Sequence, residues 1–120
     1  MSAPGPHDVP DVAALVEAVR EFLVADVAAA TTGRVHFHAR VAANVLGMVE
    51  RELALGPAHA AAHQARLAAL GQPDDAALAA AIRAGQLDDR WAELKAVLAA
   101  AVADKLAVAN PGYADAPVEP

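Results

Sequence analysis

Cysteine is absent from the 120 residues, so disulfides, thiolate metal sites and cysteine nucleophiles are excluded. Aromatic residues are scarce, 3% of the chain against 57% hydrophobic residues overall, which leaves a core of short aliphatic side chains. Bases are few: 9 Lys and Arg against 15 Asp and Glu, for a formal net charge of −6. A chain of that sign without a basic cluster is unsuited to tracking a phosphate backbone, so no nucleic-acid partner is expected. Long hydrophobic runs are missing too. Residues 12–30 are strongly apolar, but Glu17, Arg20, Glu21 and Asp26 interrupt them, and a membrane helix needs roughly 18 or more apolar residues in succession. The amino terminus "MSAPGPHDVP" lacks the basic and apolar regions of a secretory signal. A soluble, cytoplasmic protein with no membrane partner is the expectation. Gly-rich phosphate loops, GxSxG turns and paired catalytic carboxylates are also lacking, and no cofactor is expected.

What is present is alanine, the strongest helix former, punctuated by leucine and valine. In "DVPD" at 8–11, Asp8 reads as a cap and Pro10 as a first-turn residue. The first helix then runs to about Ala30, with Val12, Leu15, Val16, Val19, Phe22, Leu23 and Val27 at three- and four-residue steps. "TTG" at 31–33 ends it. A second helix spans about 34–55 and stops at Gly56, Pro57 opens a third over 57–70, and Gly71 closes that one. Asp74 caps a short fourth helix to Ala84, followed by Gly85, and Asp88 or Asp89 caps the last, which reaches about Ala109 before "NPGY". The expected fold is all-α: a small up-and-down bundle of three long and two short helices over 8–110, with a lead at 1–7 and a tail at 111–120.

The segment "VHFHARVAANVLGMVERELALG" at 35–56 holds the densest mixture of polar and apolar residues. At about 100° per residue, Phe37, Val41, Val45, Met48 and Leu55 form one apolar stripe, and Val35, Ala42, Val49 and Leu53 another beside it. So broad an apolar arc predicts a central helix. The remaining strip carries His36, Arg40, Asn44, Gly47 and Arg51. It reads either as a solvated face or as a partner- or anion-binding edge, since guanidinium groups offer planar forks of donors to carboxylates and phosphates.

His38 falls between the two stripes, and Asp26 falls among Val12, Val19, Phe22 and Leu23. Both are therefore expected in the core and within hydrogen-bond reach of each other across the 31–33 turn. They would form either a structural pair that sets register or an acid–base pair for catalysis. Lys105 shares a face with Trp91, Leu94, Leu98, Val102 and Leu106, and either snorkels or pairs with a carboxylate, Asp26 being the candidate. Trp91 reads as a core anchor. His59 and His63 have chelating spacing in "HAAAH", but the glutamate of a metalloprotease motif is missing and no metal is expected.

The segments "PHDVP" (6–10), "FHARVAANVLGMVEREL" (37–53), "LDDRWAELKAVL" (87–98) and "DKLAVANPGY" (104–113) resemble a bacterial family of short, all-helical proteins known only as a domain of unknown function. The resemblance implies association with aminoglycoside-phosphotransferase-like kinases and acyl-CoA dehydrogenases. One branch looks like the small accessory subunit of the kinase that phosphorylates 4-hydroxyacyl-CoA in levulinate catabolism. The family supplies no catalytic residues to carry over. The function expected from it is a non-catalytic subunit supporting such a kinase. Its rivals are a small enzyme using Asp26 and His38, and a self-associating structural protein.

Overall fold

The computed structural model describes residues 9–113, so the expected cap Asp8 lies outside them. Asp11 does the capping instead: its extended backbone precedes the helix and its carboxylate accepts from the Ala14 N–H at 2.9 Å. From there α1 covers Val12–Glu21 and passes directly into a π-helical stretch, Phe22–Ala28, with helix continuing to residue 30. Three more helices follow: α2, Gly33–Ala69; α3, Asp75–Arg83; and α4, Trp91–Ala109, the last preceded by a 3₁₀ turn at Asp88–Arg90. No strand occurs among the described residues, and the fold class is all-α.

Two boundaries differ from the sequence expectation. The predicted helices 34–55 and 57–70 are one, with Pro57 inside it. Proline removes a single amide donor, and the alanine-rich flanks supply enough propensity to carry the helix across it. The stops that do hold are the glycines in the left-handed region, Gly71 at φ +73° and Gly85 at φ +75°. At each, the following amide reaches back to a carbonyl of the last turn: Gln72 N–H to Leu67 O at 2.9 Å and Gln86 N–H to Ala81 O at 3.0 Å. At the last helix neither Asp88 nor Asp89 acts as the cap. Both are taken into the 3₁₀ turn, and the residue before α4 is Arg90, without a side-chain cap bond.

The chain divides into two compact units, Met1–Ala54 and Leu55–Pro120. In the first, α1 with its π-helical extension forms a hairpin with the leading part of α2. The buried residues of its seam are Ala28, Ala39 and Ala43. Two side chains tie the turn to carbonyls at the end of the first helix: the Thr31 hydroxyl donates to Val27 O at 2.6 Å, and the His36 Nδ1–H donates to Ala28 O at 2.6 Å. Farther along, the Arg20 guanidinium pairs with Glu50. That contact and the neighbouring Glu21 and Glu17 hold Arg20 further above its ordinary range.

The second unit packs differently. Leu67 of α2 and Leu70 just after its end meet Leu78 and Ala81 of α3, Leu87 of the connection and Leu94 of α4, with Val97 against the cluster. Asp74 caps α3 as expected, accepting from Ala77 N–H at 2.7 Å. Leu67 is 1% exposed. This is an ordinary aliphatic core, built from whole leucines rather than from alanine contacts.

Candidate functional site

The 35–53 segment reverses the expected polarity. Phe37, Val41, Val45 and Met48, the first predicted core stripe, are exposed, and so are Val35, Val49 and Leu53 of the second. The side of α2 turned toward the first helix is instead the line His36, Ala39, Ala43 and Glu50. Two helices approach most closely where their side chains are smallest, and alanine at Ala28, Ala39 and Ala43 permits a seam that the valine stripes would hold apart. The segment is therefore not a central core helix within its hairpin.

The predicted buried pair goes with it. Asp26 and His38 are both exposed, and no buried polar or charged residue occurs among the described residues. Asp26 lies outside because the face it was assigned to is itself uncovered: Val12, Val19 and Phe22 are exposed. His38 is exposed because the stripes on either side of it are exposed. It stands edge-on to Phe37 at 5.5 Å between ring centres and borders a groove of about 350 Å³ with Leu23, Val27, Arg34, Val35 and Ala42. The acid–base pair does not form.

The expected binding strip is split. His36 is half-buried and committed to the Ala28 carbonyl, which makes it a positioning group of the turn. Arg51 is half-buried over Gly47, so close that a Cβ on Gly47 would lie 3.3 Å from its guanidinium. Arg40 and Asn44 are exposed and form the accessible part of the strip.

In the second unit Trp91 is 63% exposed and is no core anchor. It joins Lys95, Leu98, Ala99, Val102 and Leu106 along an open apolar groove of about 490 Å³ on α4. Leu94 and Val97, on the adjoining side of the helix, pack into the core, so α4 carries apolar side chains both covered and uncovered. Lys105 is exposed. His59 and His63 do not act together. His59 Nε2 lies 3.6 Å from Asp104, which also accepts from Arg66 at 3.0 Å, and His63 Nε2 lies 2.7 Å from Asp75. Among the described residues no group of three or more potential ligands could hold a metal. Sequence reasoning missed Asp104. The row His59, His63 and Arg66 on one side of α2 was its signal, since a basic row at that spacing seeks an acid on the neighbouring helix.

Large apolar side chains lie exposed in both units, among them Phe37 and Val45 in the first and Trp91 and Val102 in the second. The chain belongs to the family described as Domain of unknown function (DUF6285), which matches residues 29–113. That range takes in all of α2, α3 and α4. No curated protein and no solved structure matches the chain. No helix among the described residues is long and apolar enough to cross a membrane.

Proposed function

We propose that the protein is a non-catalytic helical subunit that docks on a larger enzyme, and that this enzyme is an aminoglycoside-phosphotransferase-like kinase acting on a hydroxyacyl-CoA. The observation that carries the docking role is the outer face of α4. Trp91 at its head, with Leu98 and Val102 below it, is exposed on a helix whose adjoining side is already packed. A tryptophan in a contiguous apolar row is the usual anchor of a protein–protein contact. The kinase and the acyl-CoA chemistry rest on the family resemblance of the four sequence segments. The same resemblance makes an acyl-CoA dehydrogenase a further member of the setting. Arg40 and Asn44 are the polar groups able to meet a partner's carboxylates or its substrate's phosphates.

The test is co-purification with the kinase, followed by kinase assay with and without this chain. A stable complex, with activity falling at least tenfold when the chain is omitted, is the expected result, and Trp91→Glu weakens the complex without lowering helicity. Full activity of the kinase alone, with no complex detected, removes the proposal.

A further inference from the structure

Charge is sorted across α4. The helix carries two acids, Glu93 and Asp104, and two bases, Lys95 and Lys105. Both acids are engaged within the second unit: Glu93 pairs with Arg90 at 2.6 Å, and Asp104 accepts from Arg66 at 3.0 Å with His59 at 3.6 Å. Each acid stands two residues beyond a residue of the open groove, Trp91 or Val102, and so about 200° around the helix from it. The bases are placed the other way. Lys95 lines the groove, and Lys105 follows Val102 by three residues, at its edge. Both lysines are exposed, and among the described residues neither has an ion-pair partner. Leu98 and Val102 are thus bracketed by two uncompensated cations, about 15 Å apart along the axis at 1.5 Å per residue. Trp91 lies one turn beyond Lys95. In a chain of net charge −6, this face is a cationic exception.

We infer that the occupant of the α4 face is an acidic amphipathic helix of a partner protein. Its carboxylates meet Lys95 and Lys105, and its apolar stripe covers Leu98 and Val102 between them. The inference rests on the reading of α4 as a docking surface and adds the chemistry of what docks there. Symmetry argues against a second copy of the chain. A two-fold axis through the Leu98–Val102 row sets Lys95 of one chain beside Lys105 of the other when the helices run antiparallel, and each lysine beside itself when they run parallel. Like charges so placed oppose association. An anionic lipid surface would meet the lysines but repel the rest of a chain of charge −6. An extended segment laid on this face would leave its own N–H and C=O groups unpaired. A helix satisfies them internally and packs its ridge along the groove.

The experiment measures the binding of three synthetic peptides to the full chain by fluorescence anisotropy. Each is a helix of about five turns with a leucine stripe, and carries glutamate, glutamine or lysine at two positions spaced to match Lys95 and Lys105. The glutamate peptide should bind at least tenfold tighter than the lysine peptide, and its affinity should fall when salt is raised from about 0.05 to about 0.5 M. With Lys95→Glu and Lys105→Glu together the order of the peptides should reverse, at unchanged helicity. Should that pair unfold the chain, Lys95→Gln with Lys105→Gln decides in its place, and should bring the three affinities together. Equal binding of all three peptides, binding of none, or an order that the substitutions leave unmoved overturns the inference. So does co-sedimentation with phosphatidylserine vesicles in place of peptide binding. The kinase complex separates the two readings. If Trp91→Glu breaks it and the lysine reversal does not, the docking stands and the acidic helix falls. If the glutamate peptide binds as expected and no kinase complex forms, the kinase falls and the acidic helix stands.

Discussion

The two units bury different things. Around Leu67, four further leucines and an alanine interdigitate from three helices and their connection. Along the Ala28–Ala39–Ala43 seam two helices touch through methyl groups while their valines stay wet. Burying a leucine contributes about 1.5–3 kcal/mol, and an alanine methyl well under half of that. The second unit therefore holds a leucine core, and the first is held by a thin alanine seam that contributes much less. What separates the two is how many elements converge on one point: three helices and their connection around Leu67, two helices along the alanine seam.

The largest expected effect breaks this contrast most directly. Leu67→Ala should lower the stability of the chain by about 2–5 kcal/mol in urea or thermal unfolding. Val41→Ala, an equally apolar position on the hairpin but outside its seam and its groove, should stay within about 0.5 kcal/mol of the parent. Equal losses would mean that the hairpin has a core of its own. Next comes Ala43→Leu, which forces bulk into the seam and should cost about 1–3 kcal/mol. The matching readout is faster amide exchange in residues 12–54 with the second unit unchanged.

Smaller effects sharpen the picture of the second unit. Asp74→Ala removes the α3 cap and should cost about 1 kcal/mol, read as loss of protection at Ala77 and its neighbours. Glu93 pairs with Arg90 at 2.6 Å, and the bond to that guanidinium, then its charge, hold the carboxylate below its ordinary value of 4.5. A carboxylate whose folded pKa is lowered stabilises the fold above its unfolded value, and the contribution fades as it takes up a proton in the folded chain. Glu93→Gln should therefore reduce stability slightly at pH 7, and the gap to the parent should close as pH falls through 4.5 and below. Both groups are solvated, so the effect is the smallest of the set.

Helix-forming regions and several of their ends were legible in the residues. Alanine content predicted an all-α chain, Gly71 and Gly85 predicted stops, and Asp74 predicted a cap, each through a conformational preference that acts within a few residues. The candidate surface was legible only in part. Arg40 and Asn44 are exposed as a polar edge requires, while Trp91 and the 35–53 stripes were assigned inward and lie outward. Hydrophobic periodicity reports that a face is apolar and says nothing about whether a neighbour exists to cover it.

Local sequence thus determined where the chain coils and where it turns, since propensities, caps and positive-φ glycines depend on a residue and its immediate neighbours. Tertiary structure alone decided the rest: the alanine line that became the seam, the uncovered face that left Asp26 in water, and the carboxylate that answers His59 and Arg66. Each of these depends on what approaches a helix from outside. One strand of side chains cannot encode that without its partner helices in place.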